Sequence, residues 1–190
     1  MVDEGEPRVQ AVMELRSATP SDVAAIAGLH ANSWRFAYRG ALSDEYLDSQ
    51  ADRDRRQFWE RRLGSPEPNQ RVLVLAEGAR LIGFACVHLD HDPEFGSYLN
   101  NLHVAEDRLR AGCGGRLMLA VRECCEESYP ASPVYLWVLA SNLRAQAFYS
   151  RLGATQGGTD YWEPPGGGSA LVQRYAWKSP EAIRVPGMPA

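Results

Sequence analysis

The spacing of apolar positions along this chain switches between a period near two and a period near 3.6, and the switches outline its elements. Val12 to Arg16 predicts a first strand. Thr19-Pro20-Ser21-Asp22 predicts a helix start, with Thr19 as N-cap, Pro20 at the first helical position and Asp22 near the free N–H groups. Val23, Ile26, Ala27 and His30 carry its apolar stripe, Trp34, Phe36 and Tyr38 follow, and Gly40 closes the segment. A second helix is predicted over Asp44 to Leu63, with Tyr46, Leu47, Phe58 and Trp59 apolar among many charges. Its polar middle, Ser49 to Arg56, invites an interruption. After a loop at Gly64–Asn69, Arg71–Glu77 and Arg80–His88 predict two strands joined by Gly78-Ala79. Asp90–Gly96 predicts a loop and Ser97–Val104 a fourth strand. Helical spacing returns at Leu117, Ala120, Val121, Cys124 and Cys125, until Tyr129–Pro133 stops it. Val134–Leu139 predicts a buried strand, and Ser141 or Asn142 caps a short helix ending at Gly153. Two more strands are predicted around Ala154–Tyr161 and Ala170–Trp177.

The resulting order, β-α-α-β-β-β-α-β-α-β-β, predicts an α/β (α+β) fold. Strand 4, its helix and strand 5 form a parallel, right-handed crossover. The surrounding hairpins make the sheet mixed, with helices on both faces. Residues 1–10 are expected to be a flexible leader, 11–178 the domain and 179–190 a disordered tail.

Composition narrows the function classes. A hydrophobic share of 45% with 23% charged residues is ordinary globular usage, and 190 residues suit one domain. The net charge of −4 argues against a nucleic-acid partner. No run approaches the roughly 18 apolar residues of a membrane span, and the acidic start lacks the apolar stretch of a signal peptide. Cys86, Cys113, Cys124 and Cys125 have no scaffold spacing, so reduced thiols and a cytoplasmic location are expected. His88, Asp90, His91 and Asp92 read as a solvated loop and not as a metal site, because no further ligand pair has matching spacing.

The chemistry gathers in Leu102–Met118, where a strand end passes through a polar turn into three glycines in four residues, Gly112, Gly114 and Gly115, and then a helix. Such a helix start exposes unpaired N–H groups beside a positive dipole end, and glycine lets an anion reach the main chain. A dinucleotide fingerprint fails, since counting from Gly112 its third glycine falls at Leu117. A P-loop fails for want of Gly-Lys-Ser/Thr.

Leu109-Arg110-Ala111-Gly112-Cys113-Gly114, after Leu102-His103-Val104, resembles the Gln/Arg-x-x-Gly-x-Gly/Ala pyrophosphate motif of the GNAT superfamily of acetyl-CoA-dependent N-acetyltransferases. Leu109 stands where that family has Gln or Arg. Asn142, Ala145, Phe148, Tyr149 and Gly153 match a second motif, Asn-x-x-Ala-x-x-Phe-Tyr-x-x-x-Gly. Arg16, Ala18 and Asp22, with Ser33-Trp34 and Tyr38-Arg39-Gly40, also resemble one branch of the family. The resemblance spans roughly residues 12 to 177 and implies the GNAT acyl-CoA N-acyltransferase fold, with acetyl-CoA as acyl donor.

The resemblance also implies roles. Leu102, His103 and Val104 would pair with the pantetheine arm and acetyl carbonyl, and N–H groups from Leu109, Arg110, Ala111, Gly112, Cys113, Gly114 and Gly115 would hold the pyrophosphate. Asn142, Ala145 and Phe148 would line the donor, and Tyr149 would protonate the departing thiolate. Direct attack by an amine needs no covalent enzyme intermediate, so Cys113 need not be a nucleophile. For the base, Glu94 and His103 lead, with His91, Asp90 and a water chain as alternatives. Trp34 and Tyr38 read equally as core or as acceptor pocket. The expected acceptor is a primary amine, small or on a peptide or protein. A catalytically inactive acyl-CoA-binding sensor domain is the alternative. The net acidic balance is compatible with a cationic amine. Aromatic residues Tyr161, Trp162, Tyr175 and Trp177 could serve a homodimer interface.

Overall fold

The computed structural model describes residues 13–187. The expected leader, the start of the first strand at Val12 and the last three residues lie outside them. Seven strands are built in the order expected: β1 Met13–Ser17, β2 Gln70–Glu77, β3 Arg80–Asp92, β4 Gly96–Val104, β5 Val134–Leu139, β6 Thr155–Trp162 and β7 Ala170–Trp177. Five α-helices connect them: α1 Val23–Ala37, α2 Asp44–Ser49, α3 Ala51–Gly64, α4 Cys113–Ser128 and α5 Leu143–Arg151. One 3₁₀ turn, Pro20–Asp22, leads into α1, where the Asp22 carboxylate accepts the Thr19 N–H and both arms of Arg16 at 2.8 Å. The break expected in the second helix falls at Gln50; Ser43 Oγ accepts the Tyr46 N–H at the start of α2.

The sheet runs β1-β2-β3-β4-β5-β7-β6, with β4–β5 the parallel pair and every other pair antiparallel. Alternate residues of β2 feed two cores. Leu73 and Leu75 join Ile82, Val87, Leu117, Met118, Val121 and Cys125 under α4. Val72 and Val74 join Phe84, Ile26, Ala27, Trp59 and Leu63 under α1 and α3. A strand buried on both faces reads as a continuous apolar run, which is how β2 and β3 appear in sequence.

Three expectations need correction. First, β3 runs through Asp92 instead of ending at His88, because a tight hairpin pairs Asp92 with Gly96, and the Ser97 hydroxyl accepts the Asp90 N–H. His88 is accordingly buried in the sheet, with Nδ1 3.0 Å from the Glu67 carboxylate. Second, the segment after Ser179 is anchored as far as Val185 where a disordered tail was expected: Ile183 is fully buried, the Arg184 N–H donates to Leu152 O, and Val185 lies against α4. Third, Tyr175 and Trp177 belong to the core, with the indole N–H of Trp177 donating to Leu152 O. Of the four aromatics expected at an interface, only Tyr161 is well exposed, at 69%. Among the described residues, no helix is long and apolar enough to cross a membrane.

Candidate active site

The feature that opens a site in this sheet is a splay between its central strands. β5 pairs with β4 only at Ser97 and Tyr98, so the β5-facing edge from Leu99 to Val104 has no strand partner among the described residues. The cause lies within β4. Cys86 pairs with Asn101 and Val87 with Leu99, which leaves Asn100 as an extra residue in a β-bulge. A bulge bends its strand and increases the local twist. The open edge forms one wall of a cleft of about 1750 Å³.

At one end of this cleft lies the glycine turn. Arg110 and Gly112 adopt positive φ, +65° and +80°, and curl the chain into α4. The first intrahelical bond runs from the Arg116 N–H to Gly112 O, so the N–H groups of Cys113, Gly114 and Gly115 stay unpaired within the helix. The helix dipole adds positive potential at the same place. Each glycine has its own reason. Gly112 meets the conformational demand. A Cβ on Gly114 would sit 3.2 Å from the Phe148 ring, and one on Gly115 2.8 Å from Val185. The turn is therefore shaped by α5 and by the C-terminal segment, and its free N–H groups can receive an anion.

Leu102, His103, Val104, Leu109, Arg110, Gly112, Gly114, Gly115, Asn142, Ala145, Phe148 and Tyr149 all line this one cleft, together with Trp34 and Tyr38. Ala111 and Cys113 do not line it; Cys113 is buried in the core under α4, where burial raises its thiol pKa. Asn142 caps α5, its amide oxygen accepting the Ala145 N–H at 3.1 Å. Glu94 does not join them. It is exposed on the β3–β4 hairpin, away from the cleft lining, and its backbone N–H is tied to Asp92. His91 and Asp90 share that hairpin and are exposed as well.

The titratable groups at the centre of the cleft are held in one protonation state. Tyr149 is 8% exposed, and burial, with the Tyr38 and Tyr98 phenols nearby, raises its pKa above the ordinary value, so it keeps its proton at neutral pH. His103 packs its ring 4.5 Å from that of His30 and 5.1 Å from that of Phe84. Burial, aided by the charge of Arg55, lowers its pKa to about 3, which makes it a weak base toward an ammonium ion. Its neighbour His30 is fully buried, and burial, with the adjoining His103 ring and the charges of Arg55 and Arg62, holds it far below the histidine norm. His30 Nδ1 accepts the Trp59 indole N–H at 3.0 Å, which puts the proton of the neutral ring on Nε2, an atom with no hydrogen-bond partner.

The wall of the cleft away from the glycine turn is aromatic and cationic. Trp34 stacks on Tyr38 at 5.6 Å and meets Trp162 edge-on at 6.0 Å. Arg55, Phe58 and Arg62 of α3 also face the cleft, and the sequence reading passed over all three as site residues. A signal for them existed: Ala51, Arg55, Phe58, Trp59, Arg62 and Leu63 fall on one helical stripe, so its two arginines had to point where its apolar residues point.

Comparison with known proteins agrees with this geometry. Residues 31–154 match the family model for the acetyltransferase (GNAT) family. A Mycobacterium tuberculosis protein described as a probable N-acetyltransferase is 28% identical over 160 residues, covering 82% of this chain and 87% of its own. The Thermoplasma acidophilum PaiA N-acetyltransferase, solved with coenzyme A, superposes with a TM-score of 0.71 at 18% identity, covering 87% of this chain and 99% of its own. Arabidopsis thaliana NAA60, solved with a bisubstrate analogue, gives 0.62 at 16% identity, covering 87% and 97%. These two structural likenesses concern the fold.

Proposed function

The chain belongs to the acetyltransferase (GNAT) family, and we propose that it transfers an acetyl group from acetyl-CoA to a primary amine by direct attack, with Tyr149 as general acid. The observation that carries this reading is the meeting, in one cleft, of an unpaired strand edge, a backbone anion cradle and a buried phenol. Bound there, acetyl-CoA supplies an electrophilic thioester carbonyl and a thiolate that must be protonated as it leaves.

The chain's own groups suit each requirement. The N–H groups of Arg110 and Gly112 to Gly115 would hold the pyrophosphate charge, and the free edge at Leu102 to Val104 offers N–H donors for a carbonyl oxygen. A phenol whose pKa lies above its ordinary value reaches the reaction protonated. No nucleophilic thiol is needed, which accords with a Cys113 sulfur closed into the core. With Glu94 outside the cleft and His103 a weak base, the amine enters already neutral or loses its proton to solvent through the open cleft. The acceptor is an amine, small or on a peptide. A binding-only domain would draw support from Leu109, but the cradle is built from backbone groups and does not depend on that side chain.

The test is direct. Acetyl-CoA at a hundredfold excess over its Kd should stabilise the full chain by about 2.7 kcal/mol in thermal unfolding. Thiol release should follow when an amine panel is added. No binding at millimolar acetyl-CoA would sink the proposal; binding with no release from any amine would leave the binding-only domain.

A further inference from the structure

Two guanidinium groups on the α3 wall of the cleft have no part in holding the donor. Arg55 is 6% exposed, with its guanidinium 4.2 Å over the Trp34 ring and 4.6 Å over the Phe58 ring. One arm donates to the Asp54 carboxylate at 2.8 Å, and that carboxylate also takes the Tyr46 hydroxyl. Arg55 Nε is buried with no hydrogen-bond partner at all. An unpaired donor on a buried cation is costly, and such groups are few in folded proteins.

Arg62 lies two turns further along the same helix, 4.6 Å over the same Phe58 ring. Its hydrogen bonds go to the Asn100 side-chain oxygen at 2.6 Å and the Cys86 sulfur at 3.4 Å, neither of them a carboxylate. Arg62 forms no ion pair among the described residues, although most of the other arginines with hydrogen-bonded guanidinium groups do. The Asn100 contact ties it to the bulge that parts β4 from β5, so the cation sits where the cleft opens. His103 and His30 beside them are uncharged and do nothing to balance them. Among the described residues these two guanidinium groups thus share one carboxylate ion-pair partner, Asp54, inside a chain whose overall charge is negative.

From this arrangement we propose that the acceptor is an amine bearing its own oxyanion, a carboxylate or a phosphate, which docks on Arg55 and Arg62. Guanidinium groups stacked on aromatic faces keep their N–H edges free for oxyanions. The charge of Arg62, which has no carboxylate partner among the described residues, and that of Arg55, whose side chain also lines the cleft, are then balanced by the ligand. A bare polyamine meets like charge in the same place and is disfavoured. The local field thus reverses the preference for a cationic acceptor that net charge alone suggested. This inference rests on the acetyl-transfer reading and names the class of its acceptor.

Matched ligands test it. The full chain, saturated with coenzyme A, is titrated calorimetrically with phenylalanine against phenylalaninamide, and with phosphoethanolamine against ethanolamine. The same pairs are then offered with acetyl-CoA while thiol release is followed. The anion-bearing member of one pair should bind about tenfold more tightly, with a similar gain in kcat/KM, and the pair that responds separates carboxylate from phosphate. Arg62→Gln should cut that preference to below about threefold with KM for acetyl-CoA unchanged, and Arg62→Lys should restore part of it. Equal or better binding of the amide and the plain amine, no binding by either anionic compound, or a preference that survives Arg62→Gln overturns the proposal. Failure of coenzyme A itself to bind overturns the acetyl-transfer reading as well, which keeps the two failures distinct.

Discussion

The two halves of the cleft are built by different means. The half proposed for the donor uses main chain: the free edge of β4, the curled turn at Arg110 and Gly112, and the first N–H groups of α4. The acceptor half uses side chains that arrive from α1, α3, β4 and β6: Trp34, Arg55, Arg62, Asn100 and Trp162. Backbone groups present the same donors whatever the residue, so that half is expected to tolerate a changed side chain such as Leu109. Side chains carry the chemistry of the acceptor half, so each substitution there changes what is recognised.

The largest expected effect lies at the boundary between the halves. Tyr149→Phe should lower kcat about a hundredfold with the Kd for acetyl-CoA unchanged, the signature of a lost general acid. An unchanged kcat removes Tyr149 from the chemistry. Next comes Gly114→Val, whose branched side chain must displace the Phe148 ring already 3.2 Å from the Cβ position. It should weaken acetyl-CoA binding by about tenfold or more, while a tryptophan-monitored melt shows the fold retained. A normal Kd would mean that the cradle is not at this turn.

The third prediction concerns stability. His103, with its pKa lowered to about 3, and His30, held well below normal, are neutral in the fold. In the unfolded chain each takes up a proton near its ordinary value of about 6.5. The unfolded state therefore binds more protons below about pH 6.5, and stability should fall from there toward pH 3. The Asp22–Arg16 pair acts in a lower window: the Asp22 pKa is lowered to about 2, so its contribution is lost only as pH drops below about 4. A melting temperature that declines between pH 6 and 4, with a shallower decline in His103→Asn, would support the assignment; parallel slopes would refute it. The smallest effect is expected at Leu109→Gln, which restores the family residue. Because backbone N–H groups make the cradle, the acetyl-CoA Kd should change by less than about threefold. A tenfold gain would show that the side chain matters after all.

Much of the scaffold was legible because its signals are local. β5 and β7 have the bounds that their apolar runs and flanking Pro and Gly residues predict, Val134–Leu139 and Ala170–Trp177. The Asn142 cap was visible in the same way, as was the break in the polar stretch between α2 and α3. The C-terminal segment defies the sequence pattern because Arg184 and Val185 find their partners at Leu152 and Gly115, far back along the chain, while Pro and Gly around them suggest a loop. Glu94 was misplaced for a related reason. Its nearness to β4 in sequence says nothing about which side of the hairpin faces the cleft.

The sequence by itself determined the glycine turn at a helix start and, downstream, a second motif at Asn142 to Gly153, because each is made of residues that are neighbours in the chain. Tertiary structure alone decided the parting of β4 from β5 and the charge of the acceptor corner. The bulge at Asn100 exists only in the pairing of two strands, and the local field is a sum over groups brought together from separate elements. A net charge of −4 counts every residue equally. A ligand in the cleft feels chiefly the nearest few, because screening removes the rest within about 10 Å.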